Sequence, residues 1–224
     1  DTAQVLSRYV DAIVARVAAH ADIQEIASAS SVPVLNGLCD RWHPMQSLSD
    51  LLTMQEALGG LSGRKIAYLG DGNNVLNSLL LSCSVMGMSV AVAAPEGYQP
   101  DAEVVNHARW LAAASGSGAE ITVTDDPFEA AHGANAVYTD VHVSMGMTDA
   151  ATRAVALAPY KVTPEVMKQA KSSAVFMHCL PMHRDQEVSA VVADGPQSII
   201  FDQAENRMHM QKAILLHTLA PVVA

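Results

Sequence analysis

The apolar run Ile66-Ala67-Tyr68-Leu69, followed by Gly70-Asp71-Gly72-Asn73-Asn74, decides the fold class of this chain. Four consecutive apolar residues predict a strand that is buried on both faces. The glycines and asparagines that follow are typical of a tight turn, and residues 74–86 are long and apolar enough for a helix. A buried strand that leads through a tight turn into a helix is the first half of a parallel strand-helix-strand unit.

The same pattern recurs through the rest of the chain. Further short apolar runs bounded by Gly, Pro or Asp predict strands at residues 90–93, 121–123, 136–138, 174–176 and 198–201. The chain between most of them, notably residues 102–114, is long enough for a crossover helix. Near-continuous apolar strands joined by helices require a parallel sheet that is covered on both faces. The sequence therefore predicts an α/β protein with a doubly wound parallel sheet.

The segments outside this sheet predict a second, smaller unit. Apolar residues near helical spacing between Val5 and Val17 indicate an amphipathic helix, and a short second helix is expected over residues 21–29. Residues 31–37 suggest a brief strand closed by an Asn36-Gly37 turn, and a helix is expected to begin at His43 and to end at Gly59. A long closing helix is predicted over residues 204–219.

These elements suggest a division of the chain into three parts. Residues 1–57 would form an incomplete first α/β domain, and residues 58–203 the domain that carries the sheet. Residues 204–224 would form a carboxyl-terminal helix that packs back toward the first domain. The chain starts with Asp1 rather than Met and enters directly into helical sequence, so we expect that an upstream portion is absent.

Composition excludes several classes of protein. Apolar residues make up 50% and charged residues 16% of the 224 residues, which is typical of a compact globular protein. No apolar stretch approaches the roughly 20 residues that cross a bilayer, so a soluble protein is expected. The formal net charge of −10 opposes binding to nucleic acid. Three cysteines do not suggest a disulfide framework, and a reducing, cytoplasmic location is expected.

Two motifs supply candidate functional residues. His178-Cys179-Leu180-Pro181 follows a predicted strand, and the carboxyl ends of parallel strands are where open α/β sheets bind ligands. His43 and Gln46 lie three residues apart at the start of a helix, so both side chains leave the same helical face and can converge on one polar ligand. Arg207 follows a predicted strand end near the same edge of the sheet. Taken singly, each has an ordinary alternative: a capping histidine, a buried cysteine and a solvated arginine.

Two other interpretations are less favoured. The turn at Gly70 lacks the third glycine of a dinucleotide-binding motif, because Val75 occupies that position. A turn that offers main-chain N–H groups and the amide of Asn73 or Asn74 to a small polar ligand fits better. His178, Cys179 and His183 lie close in sequence, but they do not make up a four-ligand metal site, so no metal is predicted.

Several motifs, taken in order, resemble those of the ornithine carbamoyltransferases, over essentially the whole chain from Asp1 to Leu219. The residues that carry the resemblance are Asn36-Gly37, His43-Pro44-Met45-Gln46, Asp71-Gly72-Asn73-Asn74, Ser144-Met145-Gly146, His178-Cys179-Leu180-Pro181 and Phe201-Asp202-Gln203-Ala204-Glu205-Asn206-Arg207. The resemblance implies transfer of a carbamoyl group from carbamoyl phosphate to the δ-amine of L-ornithine, giving citrulline and phosphate. It also implies that the enzyme needs no cofactor or metal and forms a homotrimer or a multiple of it.

The resemblance assigns roles by position. The residues that match the carbamoyl-phosphate site are Arg16, His43, Gln46 and Arg207. The residues that match the ornithine site are Asn74, Asp140, Ser144 and Met145. Cys179, with the main-chain carbonyl of Leu180, would lie beside the attacking δ-amine without forming a covalent intermediate. Of these, the catalytic group would comprise His43, Cys179, Arg16 and Arg207.

The chain departs from the family at two places. His142 stands where the family typically has Trp, so the packing or the pH response of the following loop should differ. The family's Ser-Thr-Arg-Thr phosphate-binding motif does not occur in these 224 residues. We therefore expect little or no turnover from this chain alone.

Other functions stay open on the sequence. Putrescine or N-acetylornithine could replace ornithine as the acceptor. The chain could also be a non-catalytic module that binds ornithine for sensing or assembly. A nicotinamide-dependent dehydrogenase would depend on the Gly70 turn alone.

Overall fold

The computed structural model describes residues 1–143 and 148–220, and these form two parallel sheets. The smaller sheet pairs β1 with β2, and the larger has the order β5-β4-β3-β6-β7. The strands are β1 (Ile13–Arg16), β2 (Val34–Leu38), β3 (Lys65–Leu69), β4 (Ser89–Ala93), β5 (Ile121–Thr124), β6 (Ala136–Thr139) and β7 (Val175–His178). Every strand pairing in both sheets is parallel, which confirms the predicted α/β class.

The order of the large sheet creates a crevice at its centre. The chain winds outward from β3 through β4 to β5, then returns to the other side of β3 to form β6 and β7. Leu69 at the end of β3 pairs with Thr139 at the end of β6, and the Thr139 hydroxyl donates to the carbonyl oxygen of Leu69 at 2.7 Å. Connections that leave neighbouring strands in opposite directions open a crevice at their carboxyl ends, where ligands bind in folds of this kind.

Helices pack around both sheets of the chain. They are α1 (Thr2–Leu6), α2 (His20–Ala29), α3 (Pro44–Leu58), α4 (Asn74–Val85), α5 (Ala102–Ser115), α6 (Pro127–Ala131), α7 (Ala150–Leu157), a 3-10 turn (Ala158–Tyr160), α8 (Pro164–Met167), α9 (Ala190–Ala193) and α10 (Ile200–Leu219). Ile66 and Tyr68 of β3 point into a core shared with α3, α4 and α5. Ala67 and Leu69 point into a second core with α6, α8 and α9. The alternation along β3 therefore buries both faces of the sheet.

The amino-terminal helix predicted over residues 5–17 is wrong. The structure has a short helix, α1, and then the strand β1, whose residues alternate between half-buried and exposed. Val14 is 55% exposed, whereas Ile13 and Ala15 are half-buried. The β-branched residues Ile13 and Val14 favour an extended backbone, and their spacing fits a two-residue period better than a helical one.

Two further predictions fail at short apolar runs. Asn36-Gly37 lies inside β2 instead of forming a turn, and a Cβ on Gly37 would lie 3.2 Å from the carbonyl oxygen of Ala15. That glycine permits the close approach of β1. Residues 198–201 are not a strand: Ser198 makes one isolated bridge to Phe176, and α10 begins at Ile200. The three apolar residues after Ser198 are too few to distinguish a strand from a helix start.

Helix α10 packs along α3 and joins the end of the chain to its first third. The amide nitrogen of Asn206 donates to Thr53 Oγ1 at 3.1 Å and to Glu56 Oε2 at 2.8 Å. Gln203, one turn earlier, is fully buried against the same helix. In the part of the chain that the structure describes, no helix has both the length and the apolar character needed to span a membrane.

Candidate active site

The carboxyl ends of β3, β6 and β7 bring three polar side chains together. Asn73, in the turn after β3, caps α4 by accepting from the main-chain N–H groups of Val75 and Leu76. Its amide nitrogen donates to Asp140 Oδ2 at 2.7 Å, and the thiol of Cys179 donates to Asp140 Oδ1 at 2.9 Å. Asp140, which directly follows β6, therefore links the turns after all three central strands.

The Cys179 thiol acts as a hydrogen-bond donor rather than as a nucleophile. Burial raises its pKa well above the ordinary value, and the adjacent negative charge of Asp140 raises it further. A thiol must ionise before it can attack as a nucleophile. The structure therefore agrees with a group that holds a ligand or a proton without forming a covalent bond.

The turn that carries Cys179 is fixed from beneath by a buried pair. His178 Nε2 lies 3.3 Å from Glu187 Oε1, and both side chains are fully buried. His178 Nδ1 accepts from the N–H of Leu180 at 2.9 Å. This bond holds Leu180 at a φ of 58°, a left-handed conformation that is uncommon for a non-glycine residue, ahead of a cis peptide bond to Pro181. A left-handed φ at a leucine is strained and persists only where the surrounding structure imposes it, as functional sites often do.

A second group of polar side chains gathers at the start of α3. His43 and Gln46 lie on its first turn, and Arg207 approaches them from α10. Burial, with a smaller contribution from the positive charges of Arg207 and Arg16, lowers the pKa of His43 to about 4. At neutral pH the imidazole is therefore uncharged. It can donate one hydrogen bond without carrying a charge of its own.

Three atoms in this second group are buried without a hydrogen-bond partner among the described residues: His43 Nδ1, Gln46 Oε1 and Arg207 Nε. Buried polar atoms are rarely left unpaired, because each costs about 1–3 kcal/mol. The three atoms combine an acceptor, a guanidinium donor and an imidazole nitrogen. Such a set suits a small ligand that has both a carbonyl oxygen and an N–H group.

Asp50 joins the two groups, and sequence reasoning missed it. Its carboxylate is fully buried and accepts from Gln46 Nε2 at 2.8 Å, from Gln203 Nε2 at 2.7 Å and from the Tyr138 hydroxyl at 3.0 Å. Gln203 Oε1 in turn accepts from the N–H of His178 at 2.9 Å. A charged residue four positions after Gln46 in an apolar helix was the available signal.

Cys179 of the first group and Arg207 of the second line one cavity of about 1270 Å³, together with Leu180. The cavity continues along α10 over apolar side chains. Arg16, at the end of β1, is exposed, and its charge acts on His43. The structure thus brings His43, Gln46, Arg207, Asp140 and Cys179 to the same end of the sheet.

One expected ligand residue makes a different contact, and two are not among the described residues. The amide nitrogen of Asn74 donates to the main-chain oxygen of Cys39 at 2.6 Å, and Asn73, not Asn74, contacts Asp140. Ser144 and Met145 lie outside the described residues. The roles assigned to these three side chains stay predictions.

The segment before Ser144 is anchored by Arg153 of α7. Its guanidinium pairs with Asp71, donates to the carbonyl oxygen of His142 at 3.2 Å, and lies 4.9 Å from the ring centroid of Tyr98. His142 is buried, and burial lowers its pKa. Its Nε2 has no partner in residues 1–143 and 148–220. The histidine is therefore held neutral beside the crevice.

The Asp140–His178–Cys179 cluster and the glycines after β3 both take part in contacts within the protein. Ligand atoms of Asp140, His178 and Cys179 lie within 4.8 Å of one another, but Cys179 donates to Asp140 and His178 Nδ1 accepts from Leu180. The glycines of the β3–α4 turn have a structural cause. A Cβ on Gly72 would lie 2.5 Å from main-chain atoms of Gln99 and Pro100.

Two protein-family models match this chain. The one described as aspartate/ornithine carbamoyltransferase, carbamoyl-P binding domain, matches residues 1–56. The one described as aspartate/ornithine carbamoyltransferase, Asp/Orn binding domain, matches residues 62–218. Together they span both groups of polar side chains.

Curated relatives and solved structures agree with these matches. Proteins named ornithine carbamoyltransferase from Parafrankia sp. and Methanobrevibacter smithii are each 51% identical to the chain, which spans 70% and 72% of their lengths; the alignments cover 100% and 98% of this chain. The match to the structure of ornithine carbamoyltransferase from Pyrococcus furiosus has a TM-score of 0.95 and 46% sequence identity. It covers 99% of this chain and 71% of the Pyrococcus chain. The match to the structure of ornithine carbamoyltransferase from Gloeobacter violaceus has a TM-score of 0.92 and 45% sequence identity. It covers 98% of this chain and 74% of the Gloeobacter chain.

Proposed function

Because this chain belongs to the aspartate/ornithine carbamoyltransferase family, we propose that its cleft transfers the carbamoyl group of carbamoyl phosphate to the δ-amine of L-ornithine. One observation carries the proposal: the unpaired atoms of His43, Gln46 and Arg207 lie at the same end of the sheet as the Asp140–Cys179 pair. The first group suits the donor and the second suits the acceptor.

The donor group matches the charge that develops during the reaction. A bond forms between the δ-nitrogen and the carbonyl carbon, the bond from that carbon to the phosphate oxygen breaks, and one proton passes from the nitrogen to the departing phosphate. During attack the carbonyl oxygen gains negative charge. Neutral His43 donates a hydrogen bond to it, and Arg16 and Arg207 stabilise the charge on the oxygen and on the departing phosphate.

The acceptor group matches a diamino acid. Asp140 supplies a carboxylate for the α-ammonium of ornithine, and Cys179, held by Asp140, lies beside the δ-amine with the Leu180 carbonyl. Asn74, Ser144 and Met145 would hold the remaining polar atoms of the amino acid. N-Acetylornithine has no α-ammonium and putrescine has no α-carboxylate, so both should be poorer acceptors than ornithine.

The wider organisation of the enzyme follows from the family. We propose that residues 1–57 contribute to carbamoyl-phosphate binding, that residues 58–203 bind ornithine, and that residues 204–224 return to the first part. A homotrimer in the cytoplasm is the expected setting, with carbamoyl phosphate and ornithine as the small-molecule partners.

Citrulline formation tests the proposal in two chains. The 224 residues contain no Ser-Thr-Arg-Thr motif, so this polypeptide alone should produce little or no citrulline. A chain that carries the amino-terminal segment of a related ornithine carbamoyltransferase ahead of Asp1 should gain activity, because that segment supplies a phosphate-binding motif.

Two controls make this test specific. In the extended chain, His43→Ala should lower turnover about 10²-fold, as expected for the loss of one donor to the carbonyl oxygen. Ornithine should be carbamoylated in preference to putrescine and N-acetylornithine. An extended chain that binds ornithine but forms no citrulline would instead support the binding-module alternative.

A further inference from the structure

Asp50 controls which end of the Gln46 amide faces the cleft. A primary amide has an oxygen that accepts and a nitrogen that donates, and the two ends exchange when the amide turns over. An ionised carboxylate can only accept. Since Asp50 Oδ1 holds Gln46 Nε2 at 2.8 Å, Gln46 Oε1 must point away from Asp50.

The oxygen end of the Gln46 amide, which points away from Asp50, is buried and lacks a hydrogen-bond partner among the described residues. Gln46 is fully buried, and its Oε1 has no partner within the described part of the chain. It shares the start of α3 with His43, whose pKa responds to the charge of Arg207, a residue that lines the cavity. An unpaired acceptor beside these groups is available to a donor from a ligand.

Asp50 is itself held rigidly by other elements. Tyr138 of β6 and Gln203 of α10 each donate to it, and Gln203 Nε2 lies 3.2 Å from the Tyr138 hydroxyl. The ionisable groups whose charges act on or from Asp50 are Arg207, Cys83, Cys179 and Tyr138. Burial raises the pKa of Asp50 to about 6, while the bonds from Gln46, Gln203 and Tyr138 oppose that rise. The carboxylate is therefore mostly ionised above pH 7 and cannot donate to Gln46.

We propose that Asp50 is a positioning residue that fixes the Gln46 amide with its oxygen toward the cleft, where it accepts from the NH₂ of the carbamoyl donor. This inference rests on the proposed function and goes beyond it, because it assigns donor specificity to a residue that does not touch the donor. A donor with a methyl group in place of NH₂ would leave Gln46 Oε1 unpaired. The Asp50–Gln46 pair therefore selects carbamoyl over acetyl groups.

The orientation of Gln46 can be measured in the 224-residue chain without any ligand. In the unmodified chain, NMR should show a coupling across the hydrogen bond between the Gln46 side-chain nitrogen and the Asp50 carboxylate carbon. In Asp50→Asn the Gln46 NH₂ protons should exchange with water at least about tenfold faster, because their charged acceptor is gone. Asp202→Asn, an exposed acid on α10, removes the same charge and should leave the Gln46 signals unchanged.

Two outcomes would overturn the orientation. One is the absence of that coupling in the unmodified chain, which needs no variant to fold. The other is a folded Asp50→Asn variant with unchanged Gln46 signals.

Selectivity is tested with two stable phosphonates. Phosphonoacetamide carries NH₂, and acetonylphosphonate carries a methyl group in its place. The extended chain, which carries the phosphate-binding motif, should prefer phosphonoacetamide, and Asp50→Asn in that chain should reduce the preference about five- to tenfold, which corresponds to one hydrogen bond. In Gln46→Leu the preference should be lost, and adding Asp50→Asn should change nothing further.

The double variant separates positioning from a general structural role. If Asp50 merely supported the fold, its effect would add to that of Gln46→Leu. A retained preference in Asp50→Asn would also overturn the proposal. If the extended chain binds neither phosphonate, the proposed function fails at this cleft, and the NMR coupling alone decides the role of Asp50.

Discussion

At the scale of single residues, burial sets the protonation of the groups that line the cleft. The pKa of the Cys179 thiol is raised and that of the His43 imidazole is lowered, in both cases first by loss of solvent. Both groups are therefore neutral at pH 7 and can donate hydrogen bonds. The charges in the cleft come from Asp140, Arg16 and Arg207, which surround them.

His43 should make the stability of the fold depend on pH. The imidazole binds a proton below a pKa of about 4 in the folded state, against 6.5 as the ordinary value. Between these values the unfolded chain carries the extra proton, so unfolding is favoured as the pH falls. The free energy of unfolding should fall by about 3 kcal/mol between pH 6.5 and pH 4 on account of His43.

Urea denaturation at several pH values measures this contribution. His43→Gln should lack it, whereas the exposed His107→Gln should keep the slope of the unmodified chain. Asp50 acts with the opposite sign: its raised pKa leaves the folded chain with the extra proton between about pH 4 and 6. The comparison must therefore be made between variants at each pH. Parallel curves for His43→Gln and the unmodified chain would contradict the prediction.

Sequence patterns located part of the site at this scale. His43, Gln46 and Cys179 were predicted from their places at a helix start or a strand end, and Asp140 from the family resemblance. Arg207 was predicted after a strand end but lies within α10. The structure brings the five residues to the same end of the sheet. Asp50, Tyr138 and Gln203 were not predicted, because only three-dimensional packing places residues 88 and 153 positions from Asp50 against it. The assignment of Asn74 rather than Asn73 to the ligand is untested. Neighbouring residues in a turn point in different directions that spacing alone cannot give.

At the scale of elements, the β3–α4 turn depends on a close approach of two main chains. Gly72 donates its N–H to the carbonyl oxygen of Tyr98 at 2.8 Å, and a Cβ there would collide with the backbone at residues 99 and 100. The same turn positions Asn73 against Asp140. The glycine therefore serves the geometry of the site through the backbone.

Gly72→Ala should destabilise the chain by about 3 kcal/mol, because backbone and not a flexible side chain must move. Gly97→Ala is the matched control. Gly97 has a φ of 83° and open space around its Cβ, so that variant should cost only about 1 kcal/mol of backbone strain. Denaturant unfolding of both variants measures the difference. Equal losses would show that the contact at residues 99 and 100 relaxes freely.

Elements of the large sheet were predicted well because they are buried on both faces. β3 to β7 each lie within two residues of their predicted positions. The failures, at residues 5–17, 36–37 and 198–201, fall where the chain is partly exposed or where only three apolar residues occur. There, burial does not impose one period on the sequence.

At the scale of the whole molecule, α3 ties the two ends of the chain to the large sheet. Met54 of α3 is fully buried in the core that contains β3 and α4, and Asn206 of α10 bonds to Thr53 and Glu56. The segment before the sheet therefore shares its core with the sheet. The first 57 residues and the rest should not unfold separately.

Unfolding should accordingly give coincident curves by two probes. Trp42 packs at the edge of the core near α3, so its fluorescence in a Trp110→Phe variant reports on the first segment. Far-ultraviolet circular dichroism reports on all helices. The two midpoints in urea should agree, and a lower midpoint by Trp42 fluorescence would show that α3 detaches first.

The pairing of β3 with β6 also governs how quickly the chain can reach this structure. The two strands are about 70 residues apart, and the bond between Thr139 and Leu69 spans that whole interval. β4 and β5 are made entirely from the intervening chain. A contact across so long a loop loses much conformational entropy before packing compensates for it, so folding should take milliseconds to seconds rather than microseconds. During that interval the apolar edge of β3 stays uncovered, and newly made chains should depend on dilution or chaperones to avoid aggregation.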